Sequence, residues 1–443
     1  MLFPRHFRRL LGISVVLVVV VYWHLLRRSA PATTIHEAQD AQAEYPLLTK
    51  YIANGKGSGG AWHLPQKWTT TTPFENVVAA AQFARNRSSS DPSGVIPHSA
   101  IPRIIHQTWK DTDFSTWREK YRDGAEKWLS VVDREDIPYM FWDDAGVAQF
   151  MRTFEPGLEA EFYGLPSPVE RSDVFRILVC KWIGGVYVDM DTEPLRSPTD
   201  WITDSDLIPW TDHKTGKLYD SAQPVRAIVG IEADTDPEKD TYWRMGYFFP
   251  VQLTQWSFAF APHHPILQIF IDRLLDTIRL VERDQETLAE AEAESDSVQD
   301  SGSELVQGSN PEGVQGLEPG QGLDWIDPVN LTGPIAFTDS VSTYLDQTAD
   351  LRWNAVTGLK DGGQSKLVED VLVLPITGFS PGSARFSNMG SKPITDPSAR
   401  LYHHATGSWR KWSLKVEIGK FCRTAFGLCK DWSKVSHGDN YLW

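Results

Sequence analysis

Apolar and polar positions alternate along this chain with a period that changes from stretch to stretch, and each period predicts an element. Leu10 to Leu26 is an apolar run, preceded by Arg5, Arg8 and Arg9 and closed by Arg27-Arg28. At about 1.5 Å per helical residue it is about 25 Å long, the lower limit of a membrane span. The basic N-terminal flank predicts a cytoplasmic tail over 1–9, a transmembrane signal-anchor over 10–26 and a luminal remainder, against which Arg27-Arg28 weigh. A cleaved signal peptide, suggested by the small residues Ser29 to Ala32, is the alternative. The length of the run and the interfacial pair Tyr22-Trp23 favour the anchor. Residues 27–100 turn polar, with Gly-, Thr- and Ser-rich patches, and predict a luminal stem.

From Ile101 onward, strand and helix patterns alternate. Ile101 to Lys110 predicts a strand running into His106, Gln107 and Trp109. Trp117 to Leu129 predicts an amphipathic helix, Tyr139 to Trp142 a strand, and Asp143-Asp144 the cap of a helix to about Phe150. Further strands are predicted at Val225 to Glu232 and Val371 to Leu374, and further helices at Pro262 to Asp276 and Ala336 to Tyr344. This is the pattern of an α/β sheet, in which ligands gather at the carboxyl ends of strands. Glu232 ends its strand either on the acceptor side of a cleft or in a solvated acidic loop, with the loop favoured.

The stretch from Val169 to Leu195 organises the rest. Val174, Ile177 and Leu178 mark the buried stripe of a helix behind Pro168, and Gly184-Gly185 end it. Val186 to Val188 then form a short buried strand delivering Asp189 and Asp191, which strand alternation puts on one side with Tyr187. Two carboxylates so close are costly unless a cation lies between them, so the pair predicts a hard divalent ion shared with substrate phosphates. Asp173 and Arg176, at i and i+3, share one helix face. The bland alternative is a structural ion pair beside a solvated acidic loop. A second alternative is a haloacid-dehalogenase-like phosphatase, which also ends a strand in D-x-D-x-T. It requires a downstream acidic pair after a strand, and Glu369-Asp370 precedes one instead.

This S-D-x-x-R … G-G-x-Y-x-D-x-D layout resembles the donor-sugar motif of glycosyltransferase family 32, the fungal initiation-specific α-1,6-mannosyltransferases and their relatives. It is also similar to the glucosylating domain of large clostridial toxins. The resemblance implies a GT-A-type nucleotide-diphospho-sugar transferase fold, with a mostly parallel sheet and helices on both faces. It implies donor-sugar contacts from Asp173 and Arg176, and catalytic metal and diphosphate binding by Asp189 and Asp191. Nucleotide contacts would come from His106, Gln107 and Trp109, the last offering a stacking face, and from Ser408 and Trp409 late in the chain. A late residue would complete the metal site. In an extended segment only one of His403 and His404 can face it, and the resemblance suggests His404. Mn²⁺ as cofactor, GDP-mannose as donor, retention of configuration and an N-linked glycan acceptor are likewise implied. So are Golgi residence and complexes with other mannosyltransferases. A relative acting on inositol-phosphoceramide is the competitor within the family, and a membrane-anchored glycan-binding protein on an inactive fold is the non-enzyme alternative.

Charge alters this picture in one place. From Glu282 to Glu304 nine acidic residues stand against one Arg, a net of −8 out of the chain's −15. Such a segment buries too little to fold alone and predicts a disordered insertion over 282–322 within a catalytic domain of 101–443. Net negative charge without a basic stripe argues against nucleic acid. Three cysteines make no disulfide scaffold; Cys180 reads as a buried thiol, while Cys422 and Cys429 are close enough to bond in an oxidising lumen. Asn86 and Asn330 head glycosylation sequons. If the anchor holds, the chain should resist carbonate extraction from cell membranes, and Asn86 should carry glycan. A soluble chain beginning near Ala30 would instead show cleavage.

Overall fold

Short apolar strands flanked by glycine, proline or a helix cap assemble into one large sheet. The computed structural model describes residues 41–68, 73–239, 242–297, 322–382, 389–405, 418–419 and 421–428. In chain order the strands are β1 (Lys56–Gly57), β2 (Gly60–His63), β3 (Ile105–Thr108), β4 (Tyr139–Trp142), β5 (Gly185–Val188), β6 (Thr192–Pro194), β7 (Trp210–Thr211), β8 (Leu218–Tyr219), β9 (Ala227–Asp234), β10 (Val251–Leu253), β11 (Ser257–Phe260), β12 (Lys366–Val368), β13 (Val371–Leu374) and β14 (Leu401–His403). The main sheet runs β1-β2-β4-β3-β5-β11-β9-β13-β12, with β10 also on β9. Two small sheets pair β14 with β6 and β7 with β8.

The sheet is mixed, which corrects the expectation of a mostly parallel one. Among the described strands only β3–β4, β3–β5 and β9–β13 run parallel. β11 lies antiparallel between β5 and β9. A parallel return needs a crossover of a dozen or more residues, usually a helix. Between β9 and β11 the described chain offers a 3-10 turn, Tyr242–Met245, and the short β10, so it comes back antiparallel.

Helices cover both faces. On β4, Trp142 packs edge-on against Phe150 and Phe175, while its neighbour Phe141 stacks on Trp117 from the opposite face. The first face carries α1 (Val77–Ser90), α3 (Asp144–Phe154) and α4 (Pro168–Trp182), and α2 (Glu119–Glu135) follows Trp117 on the other. α4 starts where expected: the Ser167 hydroxyl accepts the Val169 amide and Pro168 opens the first turn. It ends at Gly184 and Gly185, with φ of +74° and +114°.

Two expectations are corrected here. The predicted stem is largely part of the fold. β2 pairs along β4, and α1, capped by Asn76, buries Val77, Val78, Ala80, Ala81 and Ala84. The small apolar face of α1 was masked by polar residues around it. The predicted disordered insertion also begins too early, because α5 (Pro265–Ser297) runs through Glu282 to Ser297. Its last segment is rich in Glu and Ala, which favour helix, and α5 is docked by Phe270, Ile271, Leu274, Ile278 and Val281. α6 (Pro334–Ala349) also joins this core, through Ala336, Phe337, Val341 and Leu345. The rest of the insertion, 298–321, lies outside the described residues.

The predicted signal-anchor at 10–26 also lies outside them. Among the described residues no helix is long and apolar enough to cross a membrane. The chain divides into units Met1–Pro46 and Leu47–Trp443. Of the first, only 41–46 is described, with the Tyr45 amide bonded to the Ala41 carbonyl. Cys180 is free and buried, and burial pushes its thiol well above the ordinary range. Cys422 is disulfide-bonded, and Cys429, with which it was expected to pair, lies outside the described residues.

The helix–strand corner before the aspartates tolerates no side chain. A Cβ on Gly185 would lie 2.5 Å from the Ile104 carbonyl oxygen, at a φ only glycine adopts readily. Gly185→Ala should therefore cost on the order of 2–4 kcal/mol, read as a lower denaturation midpoint at unchanged m-value.

Candidate active site

The two predicted polar pairs converge at the carboxyl end of β5. Arg176, buried on α4, places Nη2 3.1 Å from Asp173 Oδ1 and 3.1 Å from Asp189 Oδ1. Its Nη1 donates to the Gln255 carbonyl, and its guanidinium lies over the Tyr187 ring. Tyr187 donates its hydroxyl to Asp189 Oδ1 at 2.9 Å, and Thr332 donates to Asp173 Oδ2 at 3.1 Å. Two carboxylates thus share one guanidinium. Burial pushes Asp173 up to about 7 despite Arg176, and pushes Asp189 up as well. Burial opposes the charge on Arg176, yet Asp189, Tyr187 and Asp173 together hold its pKa above the ordinary value.

A tight turn follows. The Thr192 hydroxyl donates to the Asp189 carbonyl and accepts from the Trp128 indole, setting Asp191 beside Asp189. β14 then brings in the late residue, through the register His403↔Thr192 and Tyr402↔Glu193. Asp189, Asp191 and His403 each offer a ligand atom, all within 4.8 Å of one another, with His403 Nε2 3.2 Å from Asp191 Oδ1. Two carboxylate oxygens and one imidazole nitrogen suit a divalent ion such as Mn²⁺, so the donor set fits the metal that the motif implies.

His403, rather than the expected His404, therefore faces the two aspartates. Side chains alternate along β14, and His404 turns to Glu193 Oε2, 3.2 Å away, while its amide bonds the Asp191 carbonyl. The nucleotide contacts expected of His106 and Gln107 are corrected too, for both are fully buried. The His106 ring engages the Gly184 carbonyl and accepts from the Trp142 indole, and burial lowers its pKa to about 4, keeping it neutral. Gln107 accepts from the Tyr139 hydroxyl. Trp109 is half-buried against Tyr121, and its indole nitrogen has no partner among the described residues. Continuing the β3–β5 register puts Trp109 level with Met190, at the same sheet edge as the aspartates. Ser408 and Trp409 lie outside the described residues. Asn86 is exposed on α1, whereas Asn330 is half-buried beside Arg273, and the threonine of its sequon is the Thr332 that serves Asp173.

Residues that spacing did not reveal complete the site: His403, Trp256, Gln255 and Thr332. Gln255 donates to the Thr332 carbonyl, tying β11 to the segment before α6. Such pairings span about eighty residues and leave no periodic trace. The nearest signal was the Gln255-Trp256 dipeptide, a polar and aromatic pair opening an otherwise apolar strand.

With this geometry in place, the comparisons with known proteins agree. Residues 106–208, which hold Asp173, Arg176, Asp189 and Asp191, match the family described as "Glycosyltransferase sugar-binding region containing DXD motif". The chain is also similar to an initiation-specific α-1,6-mannosyltransferase of Schizosaccharomyces pombe, 31% identical over 71% of this chain and 65% of that protein, so it spans just under two thirds of that relative. A protein of the same name from Candida albicans is 27% identical over 91% of this chain and 94% of its own length. Inositol phosphoceramide mannosyltransferase 3 of S. pombe is 34% identical, but over 24% of this chain and 30% of its own.

The closing strand that carries His403 hangs on one buried ion pair. Arg400 Nη2 lies 2.8 Å from both Asp206 oxygens, and its Nε donates to the Trp201 carbonyl. Burial raises Asp206, but Arg400 with the Ser365 and Thr203 hydrogen bonds outweighs it and holds the carboxyl below its ordinary range. A depressed carboxylate contributes stability above the unfolded pKa of about 4 and loses it as pH falls further. Asp206→Asn should cost about 3–5 kcal/mol at pH 7 by stranding Arg400. The deficit should narrow toward pH 3 in denaturant melts.

Proposed function

We propose that this chain is a metal-dependent α-1,6-mannosyltransferase that moves mannose from GDP-mannose to an N-linked glycan acceptor, with retained configuration. The observation that carries the reading is the convergence of Asp189, Asp191 and His403 beside the buried Asp173–Arg176 pair. Asp189, Asp191 and His403 would hold Mn²⁺. When bound, the ion neutralises charge on the leaving diphosphate as the sugar–phosphate bond breaks. Arg176 fixes Asp189 from behind and, with Asp173, presents a rigid polar edge to the sugar ring; this is positioning catalysis. Tyr187 restrains the Asp189 carboxylate, and Trp109 offers its face and free indole N–H to the nucleotide. The likeness to α-1,6-mannosyltransferases over 91% of the chain, against 24% for the inositol-phosphoceramide enzyme, supports a glycan acceptor. In the GT-A architecture and luminal Golgi setting that the resemblance implies, other mannosyltransferases would be its neighbours.

The test is transfer by the full-length chain in detergent, with a panel of nucleotide sugars and Mn²⁺. GDP-mannose should be the productive donor, and chelation should stop turnover. Asp191→Ala should abolish transfer, and Asp191→Asn should lower it at least about 100-fold, because an amide coordinates without supplying charge. Asp173→Asn and Arg176→Lys should lower kcat more than they weaken GDP binding. Near-normal turnover in Asp191→Asn would overturn the metal–diphosphate assignment.

A further inference from the structure

Trp256, the residue just before β11, is joined to the site at two points and incomplete at a third. Its carbonyl accepts the Asp189 amide at 2.9 Å, so its backbone is locked to the first aspartate. Its ring lies flat on the His403 imidazole, centroids 4.3 Å apart and planes 17° off parallel. Its indole nitrogen is buried and has no hydrogen-bond partner among the described residues. Among the described residues, Gln255 Oε1 and Arg176 Nε are likewise buried and unpartnered.

Each point has a physical consequence. An imidazole at the end of a short closing strand, even mostly buried, is free to rotate unless something holds its plane. The stacked indole restricts it to the orientation in which Nε2 lies 3.2 Å from Asp191. An indole N–H can only donate. A buried donor without an acceptor is disfavoured in a protein unless a ligand supplies one. Because the ring sits against a metal-facing histidine, the acceptor that fits is an anionic oxygen brought by the donor substrate.

We propose that Trp256 is a positioning residue with two separable tasks: its ring orients His403 for the metal, and its N–H binds an oxygen of the bound diphospho-sugar. This rests on the metal–diphosphate reading above, and the experiment separates the two. Mn²⁺ affinity of the full-length chain, measured by electron paramagnetic resonance at saturating GDP, is compared for wild type, His403→Ala, Trp256→Ala, Trp256→Phe and the double alanine variant. His403→Ala should weaken Mn²⁺ binding. Trp256→Ala should weaken it about 3- to 10-fold, and the double variant should be no worse than His403→Ala, since both act through one ligand. Trp256→Phe, which keeps a flat ring, should restore Mn²⁺ affinity. It should nevertheless raise the Kd for GDP or the KM for GDP-mannose about 10-fold through loss of the N–H. Unchanged Mn²⁺ affinity in Trp256→Ala, with His403→Ala impaired, would refute the positioning role alone. Wild-type GDP and donor binding in Trp256→Phe would refute the hydrogen bond. Unchanged Mn²⁺ affinity in His403→Ala would instead sink the three-ligand site itself, and the ring-positioning task with it.

Discussion

Arg176 is the charge on which the site depends. It is buried on α4 between Asp173 and Asp189, so a residue of the helix and a residue at the strand end are held by one planar guanidinium. A buried charge is tolerable only when paired and hydrogen-bonded. Here the pairing is lopsided, two carboxylates to one cation; burial pushes both Asp173 and Asp189 up, and a neighbouring carboxylate raises each further. That excess negative charge, facing Asp191 and His403, is what a divalent ion would neutralise. The helix, the double-glycine corner and the strand serve to bring these side chains together with little room for adjustment, since even a Cβ at Gly185 would meet backbone.

The second constraint is closure from the far end of the chain. β6 begins immediately after Asp191, and its partner β14 lies some two hundred residues later, anchored by Arg400 on Asp206. This pairing puts a late imidazole beside the aspartates, and the antiparallel return of β11 puts Trp256 against that imidazole. Three segments distant in sequence therefore define the wall around the two aspartates, fixed by backbone hydrogen bonds and, for β14, by the buried Arg400–Asp206 pair. Those backbone bonds include Asp189 to Trp256 and His404 to Asp191. Such a wall is rigid before any ligand arrives, which lowers the ordering cost of binding.

The local elements were legible because their signals are local. A proline at the start, a stripe at helical spacing, two glycines and three apolar residues specify α4, the corner and β5 without reference to the rest of the chain. Tyr139 to Trp142 and the Asp143 cap were read for the same reason. Asp173, Arg176, Asp189 and Asp191 were found because the helix period and the strand period each put a pair on one side. Tertiary structure decided what depends on partners. Strand direction was set by a connection lacking a crossover helix. The inclusion of residues 47–100 followed from α1 burying a small-residue face against β4. The continuation of α5 to Ser297 rests on helix propensity behind a docked core segment. Above all, His403 faces the site instead of His404, and His106 and Gln107 are buried rather than exposed. In a strand, parity says only that neighbours point opposite ways, and which one points inward is set by the register with a strand the sequence does not name.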